Sequence, residues 1–181
     1  MATGKEFADQ AKSSKYDKLT YKQYDCQAFV ELVLYDTGVR KEGNKMYNWK
    51  GSNSMWRNAL SWKGTEEECI KKFGCVPLGA WTFILKFDGG EKDKGYHDSE
   101  GNATHVGIYV GNDETRDSTR TAKRDGVGYR PLKDWNRIGL CKYLDFVGTN
   151  PTINIEVERD EVNALYNALK TSIEIVEGWL K

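Results

Sequence analysis

Imidazole is scarce in this chain. Its 181 residues include two histidines, His97 and His105, so a chance pairing of a cysteine with a histidine is less expected than in a His-rich chain. Net charge is missing too: 27 Lys and Arg stand against 27 Asp and Glu. That removes the electrostatic case for nucleic acid or an anionic membrane surface as a partner. Mean hydropathy is -0.70, and no apolar run is long enough to span a bilayer. The start, Met1-Ala2-Thr3-Gly4-Lys5, has no apolar segment of the signal-peptide kind. Four cysteines do not make a disulfide framework in a chain this long. Cys69 and Cys75 flank a short predicted helix, with pairing the less favoured reading, and Cys141 reads as a packed strand residue. No Cys/His cluster stands at ligand spacing, so neither a metal nor a cofactor is expected. The length suits one domain with an extension, and is enough to bury a core.

What is present centres on Cys26. In Tyr24-Asp25-Cys26-Gln27-Ala28-Phe29-Val30-Glu31-Leu32-Val33, apolar residues fall at helical spacing. Asp25 is placed to cap the helix and Gly38 to stop it. Cys26 would then lie in the first turn, where unpaired amides and the helix dipole favour a thiolate. The plain alternative is an inert buried cysteine, since free Cys is among the most buried residue types.

His105 stands in Ala103-Thr104-His105-Val106-Gly107-Ile108-Tyr109-Val110-Gly111-Asn112. Val106, Ile108 and Val110 alternate with Gly107 and Tyr109, which predicts a strand that His105 begins, with a Gly-Asn turn behind it. A Cys at a helix start and a His at a strand start are the parts of a thiol nucleophile with its base. A hydrogen-bonded surface histidine is the other reading.

Taken together, Asp25-Cys26-x-x-Phe29-Val30, Pro77-Leu78-Gly79-Ala80-Trp81-x-Phe83 and His105-Val106-Gly107-Ile108-Tyr109-Val110-Gly111 resemble the NlpC/P60 family of cell-wall cysteine peptidases. The similarity runs from about Tyr16 to Phe146; the set is specific where no single piece would be. The resemblance implies an α+β, papain-like core, with the Cys helix packed on an antiparallel sheet that carries the His. It implies a third polar catalytic residue about where Asp117 stands, twelve residues after His105, and a tyrosine upstream of the Cys that helps hold the oxyanion. Tyr16 and Tyr21 both qualify for that place. A carboxylate can orient an imidazole; the alternative for Asp117 is a solvated strand residue.

Along the rest of the chain, Lys5–Lys12 reads as a short amphipathic helix and Lys41–Lys50 as a loop. Ser54–Leu60 reads as a helical turn. Thr65-Glu66-Glu67-Glu68 forms a capping box for a helix ending at Gly74. Pro77–Gly79 turns into a strand over Ala80–Phe87, where Trp81 lines the cleft or packs in the core. Asp88–Asn102 is a charged loop leading to His105, of a length often functional; it lacks the EF-hand ligand pattern and holds His97, read as exposed. Thr119–Gly128 reads as a basic turn, and Tyr129–Trp135 and Ile138–Val147 as the end of the sheet. Residues 1–150 form the expected peptidase domain. Residues 151–181 form a strand and helix extension that either packs back or acts as an oligomer stem; a monomer is favoured.

The implied reaction is acyl transfer to water. Cys26 attacks an amide carbonyl, His105 carries the proton, Asp117 orients His105, and the Cys26 amide meets the oxyanion. The implied substrate is the peptide stem of peptidoglycan, commonly cut between D-Glu and the diamino acid, with Asp25, Gln27, Tyr21 and Trp81 as binding residues. Asp25 matches the family pattern, whereas Gln27 and Ala28 replace its usual Ser-Gly. Two rivals stay open: a CHAP-like N-acetylmuramoyl-L-alanine amidase, and a non-catalytic wall-binding or phage-tail module. A wall-acting protein with no visible signal is expected to be phage-delivered or to have had its signal removed.

Overall fold

The computed structural model describes residues 1–39, 49–86 and 99–147. The chain divides into two units, Met1–Pro151 and Thr152–Lys181; the second, with its expected helix, lies outside the described residues. So do His97, all of the 88–102 loop before residue 99, and most of the 41–50 loop.

The described elements run α1 (Gly4–Ala11), α2 (Cys26–Asp36), α3 (Gly51–Asn58), β1 (Leu60–Gly64), α4 (Glu66–Phe73), β2 (Trp81–Lys86), β3 (Asn102–Gly111), β4 (Glu114–Arg120), β5 (Asp125–Pro131) and β6 (Arg137–Cys141). The six strands form one sheet in the order β1-β6-β2-β3-β4-β5, with every neighbouring pair antiparallel. This is a mixed α+β architecture built on an antiparallel sheet.

Strand alternation sends side chains to two cores. Val106, Ile108 and Val110 of β3 join Phe29, Val30, Val33 and Leu34 of α2, Phe7 of α1 and Met55 of α3. Tyr109 joins Cys69 of α4 with Ile138 and Leu140 of β6. His105 and Gly107 share the parity of Tyr109. Thus α1, α2 and α3 pack against one side, and α4 serves the other.

Local rules place the helices. Thr3 and Glu6 close a capping box on α1, and Thr65 and Glu68 close one on α4, which ends at Gly74. The Asp25 side chain accepts from the Ala28 amide at 2.8 Å and so starts α2 at Cys26. The strands depart more from the sequence reading. His105 is the fourth residue of β3 and does not begin it, because pairing with β2 extends back to Asn102. Ser54–Leu60 divides: α3 ends at Asn58, and Leu60 starts β1 by pairing with Cys141. Most of the expected turn at Thr119–Gly128 is strand, since β4 and β5 pair from Glu114↔Pro131 to Arg120↔Asp125. β6 ends at Cys141, well before Val147.

The segment ahead of Cys26 is strapped to the sheet. The Val127 amide donates to Leu19 O at 3.1 Å, and Ser118 Oγ donates to Tyr24 O at 2.5 Å. Gly126, at φ +117°, lies so close beneath this strap that a Cβ there would come within 1.9 Å of Leu19 O. Gly126→Ala should therefore combine a left-handed backbone penalty with a clash, lowering stability by roughly 2 kcal/mol or more. Chemical denaturation of the full chain measures it; an unchanged midpoint would mean that the strap is not fixed there.

Candidate active site

Three elements supply the sequence candidates. α2 supplies Cys26, β3 supplies His105 and β4 supplies Asp117. The ladder between β3 and β4 pairs Gly111↔Glu114, Tyr109↔Thr115 and Ile108↔Arg116. His105 and Asp117 lie just beyond those pairs. The first turn of α2 arrives there, with Cys26 packed in the core cluster that holds Val106 and Val127.

The thiol is 8% exposed. Burial pushes it up from an ordinary 9.0 to about 11, the negative charges of Asp25 and Asp117 add to this, and the backbone amides of Val106 and Gln27 oppose it. The Val106 contact sets the sulfur against the residue that follows His105. The helix-start argument for a resting thiolate is overturned here, because the loss of hydration outweighs the amides. Burial thus favours the protonated thiol at Cys26.

His105 Nε2 meets Asp117 Oδ2 at 2.6 Å. The Asp117 side chain has no exposed surface. Burial alone would raise its carboxyl, but the bonds and charges of His105 and Arg124 outweigh that and hold it below the ordinary carboxylate range. An ionised carboxylate only accepts, so Nε2 carries a proton toward Asp117. In the neutral ring Nδ1 is then the basic nitrogen. Trp135 stacks on the imidazole, with centroids 5.3 Å apart and planes 7° apart. Its Nε1 donates to Thr115 Oγ1 at 2.8 Å. Gly107 makes room for it: a Cβ there would come within 2.7 Å of the indole. The glycine after His105-Val106 is thus a packing requirement of the imidazole's neighbour.

The remaining sequence candidates separate. Tyr16 is fully internal: its hydroxyl donates to Asp36 Oδ2 at 2.7 Å and accepts from Gln10 Nε2 at 2.9 Å. Tyr21 lies near the thiol; burial raises its phenol, and the charges of Cys26 and Asp25 add to that. Of the two tyrosines, only Tyr21 belongs to this neighbourhood. Asp25 is exposed and caps α2. Gln27 is committed elsewhere: Nε2 donates to Glu31 Oε1 and to Trp49 O, both at 2.6 Å, and Oε1 accepts from the Gly51 amide at 2.5 Å. It pins α2 to the start of α3, and its amide is no longer available to a substrate. Trp81 has no exposed surface and packs edge-on against Trp49 at 5.5 Å, so the core reading holds and the cleft reading fails. Cys69, Cys75 and Cys141 are free thiols, and Cys69 Sγ contacts Cys75 O at 3.7 Å. Among the described residues no cluster of His, Cys, Asp and Glu could hold a metal ion.

Sequence reasoning missed Trp135, Arg124 and Arg130. Arg124 Nη2 donates to Asp117 Oδ1 at 2.6 Å, and Arg130 Nη2 stands 3.3 Å from Oδ2. The basic character of the Thr119–Gly128 segment was the only signal for Arg124. Arg130 emerges from the pairing of Arg130 with Thr115, and nothing local in the sequence marks Trp135.

Chemically, the arrangement offers a thiol, an imidazole with a defined tautomer, a buried carboxylate behind it, and a capped helix start beside the thiol. These are the parts of nucleophilic acyl transfer.

The neutral thiol contributes stability fully below pH 9, and that contribution is lost as pH rises from 9.0 to about 11. For Asp117 the sign is reversed: its contribution is present above the ordinary 3.8 and lost as pH falls through its lower folded value. Iodoacetamide labelling of Cys26, followed by peptide mass, should therefore climb steeply toward pH 11. A plateau by pH 7 would mean that the thiolate is the resting form. Gly107→Ala should displace Trp135 from His105, visible as a changed indole fluorescence spectrum and a melting temperature lower by several degrees.

No family model matches this chain, and neither a curated protein nor a solved structure matches it.

Proposed function

We propose that this protein is a thiol-dependent amide hydrolase of the cell wall, acting on the peptide stems of peptidoglycan with a papain-like, NlpC/P60-type core. The observations that carry the reading are the His105–Asp117 pair at 2.6 Å and the Cys26 sulfur at the start of α2, set against the amide of Val106, the residue after His105. In the proposed cycle, His105 Nδ1 takes the Cys26 proton as sulfur attacks the carbonyl carbon. The first-turn amides of α2 face the developing oxyanion. The imidazolium returns its proton to the leaving amine, and water, activated by the same nitrogen, releases the acyl group from sulfur. Asp117 holds the ring. Tyr21 borders the thiol, and the exposed Asp25 is placed to meet a positively charged group of the stem.

The bond cut is proposed to be that between D-Glu and the diamino acid. The engagement of Gln27 with Trp49 and Gly51 removes one expected stem contact. That observation favours the second reading, cleavage of the sugar–peptide link by an N-acetylmuramoyl-L-alanine amidase. Weighing the products of a purified peptidoglycan digest separates the two, because the new termini differ.

Cys26→Ala should abolish product while preserving the circular dichroism spectrum, and His105→Ala should lower the rate by about 10²–10⁴-fold, the usual worth of a general base. Undiminished cleavage by Cys26→Ala would end the thiol-dependent reading, and a parent protein that binds peptidoglycan without cutting it would leave a binding module. Asp117→Asn keeps an acceptor for Nε2 but deprives Arg124 and Arg130 of their anion. It should therefore cost stability as well as rate, and thermal melts alongside the digest separate the two losses.

A further inference from the structure

The buried carboxylate behind His105 is unusually well supplied with cations. Asp117 Oδ1 accepts from Arg124 Nη2 at 2.6 Å. Oδ2 is shared between His105 Nε2 at 2.6 Å and Arg130 Nη2 at 3.3 Å. Both arginines are held. Arg124 Nη1 donates to Tyr129 O at 3.1 Å, and the Arg124 amide donates to Thr121 Oγ1 at 3.1 Å. The Arg130 guanidinium lies 5.2 Å over the ring of Trp135, the same indole that stacks on His105. Their side chains are 24% and 21% exposed, against 0% for Asp117.

We propose that Arg124 and Arg130 are positioning residues of this site: their guanidiniums hold Asp117 in place and offset its charge, which weakens its pull on a proton at His105. The inference rests on the reading of Cys26 and His105 as nucleophile and base.

The physical reason is the charge count. A lone buried carboxylate against an imidazole strongly favours the imidazolium. Here two guanidiniums already face that carboxylate, so charging His105 would place a third cation around one anion. The other elements near the imidazole do not restore the balance. β2 presents Ile84 across from His105, and Trp135 is uncharged. Tyr21 and Cys26 are neutral at pH 7, with the thiol pushed up to about 11. Asp25 spends one oxygen on its helix cap. Arg116, next to Asp117 in sequence, is paired with Asp17. The guanidiniums then have two effects: Asp117 fixes the tautomer of His105 without locking it as a cation, and the base stays able to take a proton.

The test is an NMR pH titration of the imidazoles in the full chain, which needs no turnover. With two histidines in the sequence, a His97→Gln variant assigns both signals. In Arg124→Gln and in Arg130→Gln the His105 titration midpoint should rise by roughly one unit each, the scale of one nearby charge at a partly buried site. Arg124→Lys, which keeps the charge, should restore most of the parent value. The acid limb of kcat/KM on peptidoglycan should move up with the midpoint. Arg130→Gln, which breaks the longer contact, keeps the test open if Arg124→Gln does not fold. A midpoint that stays put or falls in a folded variant overturns the proposal. A midpoint that rises in a chain that leaves peptidoglycan uncut overturns the hydrolase reading while the charge arrangement stands.

Discussion

A carboxylate with no exposed surface cannot stay ionised unless its surroundings replace the water it has lost. Asp117 is in that position, and the geometry on its side of the sheet follows from meeting its demand. β3 brings His105 to one oxygen, the turn after β4 brings Arg124 to the other, and β5 brings Arg130 alongside. β4 and β5 pair over their whole length, so Arg130 reaches Asp117 only while that pairing holds. Trp135 contacts both Arg130 and His105 and is itself fixed through Thr115. The imidazole is therefore held by a hydrogen bond on one nitrogen and by an indole across its face.

The second constraint acts on the helix that carries the thiol. A nucleophile in the first turn is only as well placed as that turn. Asp25 fixes the start by capping. Ser118, adjacent to Asp117, holds the carbonyl of Tyr24, and Val127 holds that of Leu19. Gln27 ties the helix to Trp49 and Gly51. The strands that position His105 thus also position the start of α2 with Cys26, and both rest on the β4–β5 pairing. Burial of Cys26 follows from this tight docking, and with it the raised pKa that leaves a thiol where the helix dipole alone would favour a thiolate.

How much of this was legible in the sequence depends on the range of the interaction. Capping chemistry is local, so the starts of α2 and α4 could be read from Asp25 and from Thr65 with Glu68. The alternation around Val106 marked β3 as a strand. Pairing partners are not local. Leu60 reads as a helix end until Cys141 is seen opposite it, and Thr119–Gly128 reads as a turn until Arg120 meets Asp125. For the candidate site, Cys26 and His105 could be singled out by residue type and expected elements, and Asp117 only through the resemblance to the NlpC/P60 family. Arg124, Arg130 and Trp135 could not, because only the fold brings them there. Gln27 shows the converse: its place beside Cys26 suggested a substrate contact, and its amide is instead bonded to Glu31, Trp49 and Gly51.

The account turns on whether Cys26 sulfur forms a bond with an acyl group. The most direct measurement is intact and peptide mass spectrometry of a peptidoglycan digest quenched in acid within its first turnovers. The account predicts a stem-peptide adduct on the Cys26-containing fragment, released by hydroxylamine as a thioester would be and absent from His105→Ala. Turnover with no adduct on Cys26 at any quench time, together with labelling elsewhere in the chain, would contradict it.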